Sequence, residues 1–133
     1  MERIELLILR NLIYNEEYTR KVIPFIKDEY FEEQNQKIIF QEISSFIQQY
    51  NKLATKEILS IEVEKRNDIN DSNFKEVVDI ISSLEDEVGE LEWLIDSTEK
   101  WCRDRAIYLA LMESIQLADG KDESKGRDAI PSI

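Results

Sequence analysis

Apolar residues recur at three- and four-residue spacing along most of the chain, with polar residues between them, which is the period of the α-helix. The first run spans about Glu2 to Tyr14. Ile4, Leu7, Ile8 and Leu12 define one side, and Leu6, Leu9 and Ile13 widen it, so this helix is expected to be heavily buried. A short second helix follows Asn15 and carries Tyr18, Val22 and Ile23. Pro24 cannot continue a regular helix and ends or bends it. Phe25, Ile26, Tyr30 and Phe31 then make an aromatic-rich connection. A third helix, from about Glu33 to Gln49, repeats Ile39, Phe40, Ile43, Phe46 and Ile47, and Tyr50 follows in register. Thr55 suits the N-cap of a fourth helix bearing Ile58, Leu59 and Ile61. The polar run Arg66 to Ser72 reads as a loop, with Asp71 or Ser72 placed to cap a fifth helix that presents Phe74, Val77, Val78, Ile81 and Leu84.

The longest pattern runs from Glu90 to Ala118, about 29 residues without Gly or Pro, and holds both tryptophans. Leu91, Leu94, Thr98, Trp101, Arg105, Tyr108, Met112 and Ile115 step along it by three and four. Such a helix reaches roughly 44 Å at 1.5 Å per residue. A compact domain of this size has a radius of gyration of about 14 Å, so part of the helix is expected to project as a stem. Its stretch Ala106 to Met112 is apolar all round and calls for a cover. Self-association is therefore expected through Trp101, Arg105, Tyr108, Leu109, Met112 and Ile115. Trp93 and Trp101 read either as core packing or as interface anchors. Glu85, Asp86, Glu87 and Glu90 suit the positive end of the stem, Asp96 with Lys100 and Glu99 with Arg103 form i,i+4 pairs, and Gly120 suits its C′ position. Residues 119 to 128 read as a polar loop, after which Ala129, Ile130, Pro131, Ser132 and Ile133 turn apolar again. The expected fold is all-α: a globular helical bundle over residues 1–88, a long projecting stem helix over 89–119, and a loop with the start of a truncated second hairpin helix over 120–133.

Charge narrows the function. The net charge is −12 and the Lys and Arg residues are scattered among acids, so the surface repels phosphate backbones and direct DNA binding is not expected. No apolar run approaches the 18 residues that would mark a membrane span, and no secretory n-region precedes one. The single cysteine, Cys102, leaves no internal disulfide and fits a reducing cytoplasm. Histidine is absent altogether, which removes imidazole catalysis and His zinc sites. Gly120 and Gly126 fail as a phosphate loop, because Arg127 and Asp128 follow where Lys and Ser or Thr are required. Asp68, Asn70 and Ser72 imitate the start of a calcium loop, but Asn73 replaces the glycine at its sixth position and Asp79 the long bidentate Glu at its twelfth. Paired carboxylates lie on wet helix faces rather than in an apolar pocket that would raise a pKa. The residues point to no catalytic, cofactor or metal site.

With the helices placed, the order of strings becomes informative. Lys21-Val22-Ile23-Pro24 with Asp28-Glu29-Tyr30-Phe31-Glu32, the Ile38-Ile39-Phe40 helix, Trp93-Leu94-Ile95 with Thr98-Glu99-Lys100-Trp101 and Arg105-Ala106, and the terminal Ala129-Ile130-Pro131 follow one another in sequence. Together they resemble the N-terminal domain of DnaB-type hexameric replicative helicases, in particular the group found in T-even-type bacteriophages. The resemblance implies a helical bundle followed by a helical hairpin, pairing of hairpins between subunits in a ring of six, and docking of primase, with a helicase loader as a further partner. Tyr30 and Phe31, in the aromatic link, are the candidate partner surface. ATP and magnesium are expected only in a motor domain absent from this chain, and the setting implied is the cytoplasm of an infected bacterium. Two other readings fit the same residues: an acidic helical adaptor without a role in replication, and the helicase-binding domain of a primase. A Walker motif downstream of Ile133 would separate the first reading from the adaptor.

Overall fold

The computed structural model describes residues 2–87 and 89–119 of the chain. Six α-helices follow one another: α1 (Glu2–Tyr14), α2 (Glu16–Val22), α3 (Gln34–Tyr50), α4 (Lys56–Glu64), α5 (Asp71–Ser83) and α6 (Leu91–Asp119). Two 3-10 turns, Ile23–Phe25 and Asp28–Tyr30, connect α2 to α3. No strand occurs among the described residues, and the fold is all-α with a long C-terminal helix. The contacts divide the chain into two compact units, one through Glu99 and one from Lys100 onward.

The helix starts are set by short polar side chains that satisfy otherwise orphaned N–H groups. Asn15 Oδ1 accepts from the Tyr18 N–H at 3.0 Å, and Thr55 Oγ1 from the Ile58 N–H at 3.1 Å. For α5 the cap is Asn70, which accepts from the Asn73 N–H at 2.8 Å, one residue ahead of the expected Asp71 or Ser72. Glu90 does the same for α6, accepting from the Trp93 N–H at 3.1 Å. At the other end of α3, Asn51 takes the left-handed conformation (φ 56°, ψ 36°) and donates its N–H to Ile47 O at 2.7 Å. Asn is one of the few side chains that tolerates this conformation. Arg20 reinforces it by donating to both the Asn51 side chain and its carbonyl, each at 3.2 Å.

In the first unit, α3 packs on α1, α4 and α5. The interior holds Ile8, Leu9 and Leu12 of α1, Tyr18 and Val22 of α2, Ile39 and Ile43 of α3, Leu59 of α4, and Val77 and Ile81 of α5 from the expected apolar faces, and it adds Ile38 of α3 and Val63 of α4. Ile61, counted with the apolar face of α4, is instead exposed. The base of α6 joins this core through Leu94 and Thr98. The Tyr18 hydroxyl and Thr98 Oγ1 form a buried hydrogen bond of 2.6 Å, and Tyr14 donates to the Leu84 carbonyl at 3.2 Å. Gly89 makes room for this base, since a Cβ there would lie 2.9 Å from Leu94 Cδ1.

Arg66 ties the α4–α5 loop to α3. Its guanidinium donates to Glu42 at 2.6 Å, to Gln41 at 2.9 Å and to both oxygens of Asp68 at 3.0 and 2.8 Å. Gln41 in turn donates to Asp28 at 2.7 Å, which brings the second 3-10 turn into the same network. The paired guanidinium holds the Asp68 carboxyl below its ordinary range, and chiefly the hydrogen bond to Asp68 raises Arg66. The Asp68 carboxylate is thus engaged with Arg66, and the imitation of a calcium loop has a structural use in its place.

Candidate assembly face on the long helix

Residues 100–119 of α6 carry the largest concentration of exposed apolar side chains among the described residues: Ile107, Tyr108, Leu111, Met112 and Ile115. Leu111 is 57% exposed and Ile115 50%. At 100° per residue these five positions span about 140° of the helix circumference, a stripe of the width a packed helix presents. On the same construction Leu111 lies half a turn round from Cys102, which is buried. The apolar side chains of α6 therefore change face along its length. Leu94, Thr98 and Cys102, four residues apart, are buried, and the stripe from Ile107 onward points elsewhere.

The predicted site residues fall into three groups. Tyr108, Met112 and Ile115 lie in the exposed stripe. Trp101, Arg105 and Leu109 are half-buried, and the Arg105 guanidinium sits 5.0 Å from the centre of the Tyr108 ring, a cation–π distance. Tyr30 and Phe31, the candidate partner surface, are in the core, 8% and 0% exposed. The 3-10 turn folds them inward, and Phe31 packs on Phe40 with ring centroids 5.4 Å apart. As buried side chains they offer a partner no surface, and that assignment is corrected. Ile107 and Leu111 belong to the Ala106–Met112 stretch expected to need a cover, but they were not among the named interface residues. Their spacing with Ile115, four and four, is legible in the sequence once the stripe is allowed to leave the register that begins at Leu91. The ion pairing also differs from expectation: Lys100 reaches forward to Asp104 at 2.7 Å rather than back to Asp96.

Polar chemistry is sparse on this face. The described residues contain no group of three or more His, Cys, Asp or Glu side chains arranged to hold a metal ion, and no helix long and apolar enough to cross a membrane. What the arrangement supports is burial against another apolar surface. The fold is all-α, and this face is an exposed apolar stripe on its long helix. Comparison with known proteins gives it a context. No family model matches the chain. It is similar to a DnaB-like replicative helicase of Enterobacteria phage T4, 30% identical over 111 residues, which cover 84% of this chain and 23% of that protein. The resemblance read from the sequence is thus borne out. The chain spans about a quarter of the length of the helicase it matches.

The segments Gly120 and Gly126, the expected loop and the start of a second hairpin helix lie outside the described residues.

Proposed function

We propose that this chain is the N-terminal oligomerisation and primase-docking domain of a phage replicative DNA helicase. ATP hydrolysis, magnesium binding and DNA translocation reside in the rest of the parent protein, in the cytoplasm of the infected host. The observation that carries the assembly half of this reading is the exposed stripe Ile107, Tyr108, Leu111, Met112 and Ile115. Burying each such side chain contributes roughly 1.5–3 kcal/mol, and a two-fold contact counts each of them twice. The similarity to a replicative helicase supports the parent's role. The primase and loader interactions rest on the family resemblance.

Sedimentation equilibrium tests the assembly. The chain should be a dimer or larger at tens of micromolar, and Leu111→Glu with Met112→Glu should leave a helical monomer by circular dichroism. A wild-type monomer under those conditions would remove the assembly role. Co-purification with the phage's own primase tests the other half, with loss of the complex expected when residues 1–119 are deleted from the full-length helicase. A chain that assembles but ignores primase would favour the adaptor reading.

A further inference from the structure

A second apolar surface lies on the bundle, between the start of α1 and the first turn of α6. Ile4, Leu6, Leu7, Arg10 and Trp93 line an open groove of about 540 Å³. The three aliphatic side chains are half-buried, and Trp93 is 55% exposed. An indole left this open beside aliphatic walls has the form of an interface anchor rather than a core residue.

The charge around the groove says what it can accept. Between residues 84 and 98 the chain carries Glu85, Asp86, Glu87, Glu90, Glu92 and Asp96, and no Lys or Arg. Three of these are tied to the groove by contact or position. Glu87 pairs with Arg10 at 3.4 Å, Glu90 caps the turn that presents Trp93, and Glu92 precedes Trp93 in the first turn of α6. The one cation in the lining, Arg10, is already engaged by Glu87. An apolar floor beside the exposed carboxylate of Glu92, with the one lining cation already neutralised by Glu87, complements a segment with apolar side chains on one face and Lys or Arg on the other. The same field turns away anionic lipid and nucleic acid.

We propose that the groove at Trp93 docks a cationic amphipathic helix of another protein. This docking is separate from the stripe on residues 107–115, and it does not rest on the assembly reading. The test uses the 133-residue chain and three labelled 18-residue peptides: a Leu–Lys amphipathic helix, the same composition scrambled, and its Leu–Glu counterpart. By fluorescence anisotropy the amphipathic Leu–Lys peptide should bind at least about tenfold more tightly than either control, and more weakly as salt shortens the screening length. Trp93→Ala should weaken it roughly tenfold and Trp93→Phe less, and Glu92→Lys should weaken it several-fold without altering the groove walls. Leu111→Glu with Met112→Glu should leave binding unchanged, which keeps this result independent of assembly. Equal binding of the scrambled peptide, or undiminished binding to folded Trp93→Ala, would overturn the proposal as non-specific charge attraction. A change in the sedimentation of the chain on Trp93→Ala would overturn it in favour of a second copy as occupant.

Discussion

Ile39 and Ile43 on α3 have the same four-residue spacing as Leu111 and Ile115 on α6, and the side chains are of the same kind. The first pair is sealed in the core, and the second is half or more open to solvent. Helical periodicity identifies an apolar face in both places. Whether that face is covered depends on what the rest of the chain brings to it. α3 receives α1, α4 and α5, so its face is satisfied within one molecule. The stripe on α6 keeps the chemistry of a core face at the surface, and this is the face that the proposed assembly would cover.

Substitutions can break this comparison, and the largest effects belong to the bundle. Phe31→Ala should cost about 3–5 kcal/mol and Ile43→Ala about 2–5 kcal/mol, because each leaves a cavity in a packed interior. Leu111→Ala should change the unfolding free energy of the isolated monomer by no more than about 0.5 kcal/mol while weakening association. Urea titrations at low and high protein concentration would show both, and a large loss for the monomer would mean that Leu111 is core after all. Gly89→Ala should destabilise by about 1–3 kcal/mol, since the added methyl meets a buried Leu94 that has little room to shift. Asn70→Ala should cost about 1 kcal/mol through the lost cap of α5, measurable as a lower thermal midpoint with unchanged helicity after correction for the folded fraction.

The smallest effect expected is electrostatic. Arg66 holds the folded-state pKa of Asp68 below its unfolded value. Its contribution is therefore complete above the ordinary carboxylate range, near pH 3.9, and disappears as pH falls through the lower folded value. Asp68→Asn should remove that part of the acid dependence and leave stability at neutral pH slightly reduced. An identical acid limb in wild type and variant would show that solvent screens the pair out.

Much of this fold was legible in the residues because its signals are local. The α1 and α3 faces, the Thr55 cap and the uninterrupted α6 follow from spacing within a few turns. Failures occurred where a local rule had several equal solutions. Asn70, Asp71 and Ser72 all carry capping side chains, and only the frame of α5 decides among them. Asp96 and Asp104 both stand four residues from Lys100, and the observed rotamer takes the second. Tyr30 and Phe31 look like an exposed aromatic link when read along the chain, yet both are buried, and the helix that follows, α3, brings Phe40 onto Phe31. The candidate face was read in part for a related reason. A single register drawn from Leu91 runs from the buried Leu94 and Thr98 into the exposed Tyr108, Met112 and Ile115, and it leaves out Ile107 and Leu111 of the same stripe.

The hydrogen bond between Tyr18 and Thr98 joins residues 80 apart in the chain, and that separation has a kinetic meaning. Contacts among α3, α4 and α5 close short loops, whereas bringing the base of α6 onto α2 closes most of the first unit. The entropy of that closure grows with the logarithm of loop length, so the local helices should assemble first and α6 should dock after the rate-limiting barrier. Removing the hydroxyl in Tyr18→Phe then leaves the folding arm of a chevron plot nearly in place and moves the unfolding arm upward. The long helix would be the last part of the bundle to arrive and the first to leave.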